Sequence, residues 1–188
     1  TARQYGLHLK IHADQLAASG GGALAAELKA TSAEHLEYLP EAVIPAFRTS
    51  GTVAVLLPVA GLYLMMDKIP PVISLRRQRV PIAIATDFNP GSAPCFSLLT
   101  AMTLAAATYH LPTEEIIKGV TIHAARAIGR ERTLGRAEEG NQADFSVFPV
   151  RDYALVVTTF GETLPVRIMK KGKWISLSSS TQPLTTIS

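Results

Sequence analysis

Three side chains in this sequence belong to the types that bind metal ions and move protons, and each closes a short apolar run. His12 follows Leu9-Lys10-Ile11, His35 lies at the end of the run 32–36, and Asp87 follows Ile84-Ala85-Thr86. A neutral imidazole and a carboxylate both present lone pairs to a metal ion at about 2.0–2.2 Å, a donor set that suits zinc or iron. The same groups serve as general acids and bases. Two protein donors fall short of the three that a catalytic metal site uses beside its water. Further donors are therefore expected, and the sequence offers none in an obvious place. Of the five histidines, the one close pair is His8 and His12. A spacing of four on a strand points both the same way, and His12 is the candidate because the apolar run ends there. Plainer roles stand beside these. A histidine at a strand end is often only a polar rim residue or a buried hydrogen-bonded one. Asp87 also stands where it could cap a following helix, and Asn89-Pro90-Gly91 is turn chemistry in most proteins.

The elements that must position these groups alternate between β-branched runs and helical patterns. The runs 7–11, 32–36, 52–57 and 80–86 read as strands. Between and after them, 22–29, 40–49, 71–78, 97–109 and 113–129 read as helices, the last opening on a Thr113 cap with an acidic first turn. After Arg132 the pattern shifts to short strands, 144–147 and 166–170, around glycine turns. Near-continuous apolar strands separated by helices imply a parallel α/β sheet covered on both faces. About four β/α units are present where a closed TIM (β/α)8 barrel needs eight. The expected fold is thus the C-terminal half of such a barrel over 1–130, part of a small β domain over 131–176, and a frayed, disordered tail over 177–188. A doubly wound sheet is the alternative, but Ser19-Gly20-Gly21-Gly22 matches neither a dinucleotide fingerprint nor a P-loop. In a parallel barrel His12, His35 and Asp87 would share the C-terminal rim, where catalytic groups collect.

Composition narrows the class. The chain has 188 residues, 47% of them hydrophobic and 18% charged, which excludes general disorder. Eighteen Lys and Arg against 15 Asp and Glu give +3, with no polybasic arm, so no nucleic-acid partner is expected. One cysteine excludes a disulfide framework and a cysteine-rich zinc module. No apolar run approaches the ~20 residues of a membrane span, and the expected location is cytoplasmic. His110 and His123 read as structural, Cys95 as a small core residue, and the Arg76–Arg79 segment as a solvated helix end.

Three segments in order carry a resemblance. Lys10-Ile11-His12-Ala13-Asp14-Gln15, the segment from Ser32 to Tyr38, and Ala85-Thr86-Asp87-Phe88-Asn89-Pro90-Gly91-Ser92 resemble the imidazolonepropionase family of the amidohydrolase superfamily. His35 lies 23 residues and Asp87 75 residues beyond His12, as in that family, and the likeness runs from about Leu7 to Ile175. The resemblance implies a hydrolase that opens the cyclic amide of 4-imidazolone-5-propanoate to N-formimidoyl-L-glutamate in histidine breakdown, using one zinc or iron ion and its water. It implies His12 and Asp87 as metal ligands, with Asp87 also handling the proton of the attacking water. It implies His35 as a group that activates water or steadies the oxyanion. Gln15, Asn89, Gly91 and Ser92 match positions that contact the substrate.

The chain departs from that family in one large respect. The family's first strand carries a His-x-His pair that supplies two metal ligands, and no His-x-His occurs in these 188 residues. Some family members carry Glu where Gln15 stands, and Asn141 replaces a common Lys. The expectation is therefore a partial sequence of such an enzyme, inactive by itself and capable of pairing as a homodimer through its open half-barrel face. The alternative is a non-catalytic truncated remnant. Another amidohydrolase, such as a cyclic-imide hydrolase or a deaminase, is a weaker alternative, against which the Asp-Phe-Asn-Pro-Gly-Ser loop argues.

Overall fold

In this computed structural model the described residues are 2–160 and 164–175. The tail expected over 177–188 lies outside them. Four short strands, β1 (Lys10–Ala13), β2 (Ser32–His35), β3 (Val53–Leu56) and β4 (Ile82–Ile84), form one sheet. Their order is β1-β2-β3-β4 and every pairing is parallel. The register brings Ala13 opposite His35 and Leu56 opposite Ile84, so all four strands end along one edge. The order never reverses, and so the sheet has no topological switch point of the doubly wound kind. Among the described residues β1 and β4 are each paired on one side only.

Helices follow each strand, each for a local reason. Helix α1 (Gly21–Glu27) follows β1, and α2 (Ile44–Ser50), with Pro45 in its first turn, follows β2 after a 3-10 turn at Glu41–Val43. β3 leads into α3 (Pro58–Tyr63), opened by Pro58, and α4 (Val72–Arg77). β4 leads by a long loop to α5 (Leu98–Tyr109), then α6 (Thr113–Val120) and α7 (Ile122–Ala127). β3 and β4 are buried at every position, as strands covered on both faces must be. The largest fully buried side chains include Phe47, Leu36, Ile44, Leu56 and Leu75, all within one hydrophobic core. A second, antiparallel sheet of β5 (Phe145–Val147), β6 (Arg167–Lys170) and β7 (Lys173–Ile175) follows, with α8 (Ala154–Thr158) between β5 and β6.

Several boundaries differ from the sequence reading. Leu7–Leu9 stay outside β1, α3 was not anticipated, and the single helix expected over 113–129 is two. Thr121 breaks it at φ −121°, ψ −88°, and its hydroxyl turns back to the Ile117 carbonyl at 2.6 Å. The break lets α7 fold against the sheet, where the His123 ring donates through Nδ1 to the Ile82 carbonyl at 2.9 Å. Burial lowers the His123 pKa, keeping the ring neutral for that structural role. Thr113 does not cap α6, whose cap position is Pro112 with no side-chain bond. The Arg76–Arg79 segment is the exposed end of α4, as expected, and there the Arg76 guanidinium also grips the Glu115 carboxylate with two bonds of 2.8 Å.

The N-terminus of α1 depends on one residue. Asp14 is buried, and its Oδ1 accepts from the Ser19 and Gly20 amides at 2.9 and 3.0 Å and from the Ser19 hydroxyl at 3.0 Å. Its Oδ2 accepts from the Gly22 amide at 2.9 Å. Gly22 lets the turn approach closely: a Cβ there would stand 2.3 Å from Leu39 Cδ1 and 2.8 Å from Asp14 Oδ2, so those side chains would have to shift. Asp14→Ala strands several donors at once and is expected to lower stability by about 3 kcal/mol, read from urea unfolding.

The second sheet holds a charged fastening of its own. Lys170 Nζ donates to Asp144 Oδ2 at 2.6 Å and the Lys171 amide to Oδ1 at 2.8 Å. The bond from Lys170, helped by the Lys171 amide, holds the Asp144 carboxyl down at about 2. A depressed carboxylate stabilises the fold above its unfolded pKa, about 3.9, and loses that contribution as pH falls through its folded value. This fastening should therefore weaken only between about pH 4 and 2, and Lys170→Met should move the Asp144 carboxyl titration upward in a carbon-13 NMR experiment.

Candidate active site

The three sequence candidates meet at the C-terminal edge of the parallel sheet. His12 stands at the third position of β1, His35 ends β2, and Asp87 lies three residues past β4. The His12 and His35 rings are 4.3 Å apart between centroids, inclined at 50°. His35 Nε2 is 3.9 Å from Asp87 Oδ2. Residues from three separate strands thus converge although the sequence spreads them over 12 to 87. They edge a cleft of about 330 Å³, whose floor and wall include Val55, Ala83 and Ala127.

The backbone at this edge is held in unusual conformations. Asp14, His35, Leu36 and Asp87 all have positive φ, at 50°, 74°, 76° and 55°. Non-glycine residues there cost on the order of 1–3 kcal/mol each and persist only where their surroundings hold them. The holding bonds are present. The Leu36 amide donates to the Ala13 carbonyl at 3.0 Å and the Tyr38 amide to the Asp14 carbonyl at 2.8 Å, joining the end of β2 to the end of β1.

The loop after β4 is held by its own asparagine. Asn89 Nδ2 donates to the Asp87 carbonyl at 2.7 Å and to Ser92 Oγ at 2.9 Å. Asn89 Oδ1 accepts from the Gly91 and Ser92 amides at 2.9 and 2.8 Å. Residues 89 and 93 also form a β-bridge. The loop thus encloses the Asn89 amide and fixes Asp87. Asp87 caps no helix, since Ser97 caps α5 by accepting from the Thr100 amide at 3.2 Å. Gln15 sits half-buried in the loop after Asp14. Gln15, Asn89, Gly91 and Ser92 do not line the cleft that His12, His35 and Asp87 edge.

Sequence reasoning passed over a polar cluster that also lines that cleft through Lys10 and Glu34. Lys10 Nζ donates to Ser32 Oγ at 2.6 Å, to the Ala127 carbonyl at 3.0 Å and to Glu34 Oε1 at 2.9 Å. Ser32 Oγ in turn donates to Glu34 Oε1. The available signal was alternation: Lys10 and His12 share one face of β1, and Ser32 and Glu34 one face of β2. It also passed over Glu37, which is buried beside His35 with both carboxylate oxygens unpartnered.

As a metal site the arrangement is incomplete. An imidazole and a carboxylate, His12 and Asp87, face one place, but among the described residues no three His, Cys, Asp or Glu side chains are grouped to hold an ion. The chain fits one flank of a metal site and does not close it. Among the described residues no helix is long and apolar enough to cross a membrane.

Comparison with known proteins gives a consistent picture. A family model for the amidohydrolase family matches residues 1–175. The imidazolonepropionase of Shewanella frigidimarina is 43% identical over 176 residues, covering 94% of this chain and 43% of that protein. That of Erwinia tasmaniensis is 44% identical over 172 residues, covering 92% of this chain and 42% of that one. The chain therefore spans about two fifths of the length of these curated relatives. Among solved structures, an adenosine deaminase from Xanthomonas campestris with bound zinc superposes with a TM-score of 0.76 at 21% identity, over 92% of this chain and 46% of that one. The zinc complex of atrazine chlorohydrolase from Arthrobacter aurescens gives 0.72 at 18%, over 92% and 45%. At these identities the two structures bear on the fold alone.

The Asp87 loop offers a direct test. Asn89→Ala removes the acceptor of the Gly91 and Ser92 amides, and their hydrogen exchange is expected to quicken by about tenfold or more, while the amides of α5 stay protected.

Proposed function

Matched by that family model over residues 1–175, the chain belongs to the amidohydrolase family, and from that premise we propose that it is part of an imidazolonepropionase. The reaction is the hydrolytic opening of the cyclic amide of 4-imidazolone-5-propanoate to N-formimidoyl-L-glutamate, a step of histidine breakdown. The four β/α units form the C-terminal half of a (β/α)8 barrel, and the antiparallel sheet is part of a small β domain. Residues outside this chain supply the other half, including the donors that complete the metal site. The protein works in the cytoplasm on a small molecule, without nucleic acid or membrane, and assembles as a homodimer.

The observation that carries this reading is the convergence of His12, His35 and Asp87 at one sheet edge, the rings 4.3 Å apart and the carboxylate 3.9 Å from His35. The 43% identity to imidazolonepropionases supports the choice of substrate. His12 and Asp87 would hold a zinc or iron ion, which when bound polarises a carbonyl and lowers the pKa of a water. Asp87 takes a proton from the attacking water. His35 faces the attacking water and accepts a hydrogen bond from it through Nε2, orienting it toward the ring carbonyl. When the ring C–N bond breaks, the carbonyl carbon leaves as a carboxylate and the nitrogen takes up the proton. Gln15 and Ser92 contact the imidazolone ring, while Asn89 and Gly91 hold the propanoate side.

One observation favours a second reading, a non-catalytic truncated remnant: the described residues group no three metal donors. The intact mass of the natural polypeptide separates the two. A mass near 20.1 kDa supports the remnant, and one more than twice that supports the enzyme. In the enzyme case the purified natural polypeptide, supplied with zinc or iron, converts 4-imidazolone-5-propanoate to a product with the mass of N-formimidoyl-L-glutamate. His12→Ala and Asp87→Asn are expected to lower kcat/KM by about 10²–10⁴-fold with circular dichroism unchanged. No turnover by the metal-loaded wild type would refute the reading.

A further inference from the structure

Among the described residues, four buried side-chain atoms lack a hydrogen-bond partner: His35 Nδ1, both carboxylate oxygens of Glu37, and Asn141 Oδ1. Three of the four belong to one pair. The His35 and Glu37 side chains are 2% and 1% exposed, and Nδ1 lies 3.8 Å from Glu37 Oε1. A carboxylate is among the groups least often buried without a partner, because removing it from water is costly. At this position Leu or Gln would fill similar space at lower cost. The far side of the same imidazole faces the cleft, with Nε2 3.9 Å from Asp87 Oδ2. His35 therefore stands between two carboxylates, one buried behind it and one at the rim.

The chain brings this about deliberately. His35 and Leu36 have φ of 74° and 76°, two consecutive left-handed residues that turn β2 sharply at its end. The Leu36 and Tyr38 amides anchor the turn to the Ala13 and Asp14 carbonyls. The turn sets Glu37 behind the ring, with Tyr109 buried nearby, where burial and the Glu37 charge push its hydroxyl pKa upward.

We infer that Glu37 is the positioning residue of His35: its carboxylate faces Nδ1–H, fixes the ring in the Nδ1-protonated tautomer, and leaves the Nε2 lone pair open to the cleft as an acceptor for the attacking water. Which ring nitrogen bears the proton is set by the bond the other makes, and a carboxylate behind the ring is the usual device. A separation of 3.8 Å is beyond a formed hydrogen bond. Catalytic bonds of this kind are commonly long in the empty site and shorten once it is filled. The inference rests on the proposed reading of His35 as a group facing the reacting water, and Glu37 itself touches neither substrate nor metal.

The test uses the natural polypeptide that contains this chain, labelled with nitrogen-15 histidine, metal-free and zinc-loaded. Long-range proton–nitrogen correlations report the His35 tautomer, assigned by its loss in His35→Gln. The wild type is expected to show Nδ1–H in both forms. Glu37→Gln and Glu37→Leu should each shift the ring toward Nε2–H. Both should lower kcat by about 10- to 100-fold with KM within about twofold, and melt cooperatively. The two variants guard against a folding defect in either one. An Nε2–H tautomer in the wild type, or an unchanged tautomer in both variants, overturns the inference. If the wild type turns over no imidazolone, the proposed function fails, while the tautomer measurement still decides the role of Glu37.

Discussion

Asp14 is buried among backbone donors, with no salt bridge to it among the described residues, and much of the sheet edge depends on that. Three amides and a hydroxyl of the Ser19–Gly22 turn converge on its two oxygens. Its own carbonyl receives the Tyr38 amide, and that of Ala13 the Leu36 amide. One residue thus ties the end of β1 to the start of α1 and to the turn after β2. Its charge also faces the positive end of that short helix. His12 lies two residues before it and His35 beside the turn it anchors, so the spacing between the two rings is inherited from backbone bonds. Side chains that had to find each other by their own attraction would be placed far less tightly.

The fold was legible where the signal was local. β3 and β4 were plain because a strand buried on both faces has no polar position to disguise it, while β1 and β2 alternate polar and apolar residues and were legible by that alternation. Two elements were misread. Gly119 and the β-branched run Val120-Thr121-Ile122 weaken the helix expected over 113–129, and after the break α7 packs against the sheet with His123 at the Ile82 carbonyl. α3 was hidden because Pro58-Val59-Ala60 continues the apolar run of β3 without a polar residue between.

The site was legible in its residue types and only partly in its geometry. Strand ends placed His12, His35 and Asp87 correctly, since a parallel sheet gathers such ends along one edge. Asn89 and Ser92 have a structural use that no motif discloses, because their side-chain bonds run back into the loop that holds Asp87. Glu37 was invisible for a different reason. A carboxylate two residues after a strand end reads as solvated, and only the double left-handed turn of His35 and Leu36 carries it inward.

Of the two outer strands, β1 carries His12 and β4 leads into the loop that carries Asp87, and among the described residues each offers its outer side unpaired. Strand pairing is directional. A neighbour laid alongside β4 in the same sense would bring its own C-terminal residues level with Asp87, and one laid in the opposite sense would bring its N-terminal residues there. The polarity of that joint would decide whether incoming donors arrive within reach of His12 and Asp87 or at the far end of the strands. The geometry of this sheet therefore selects among neighbours by direction before it selects among them by side chain.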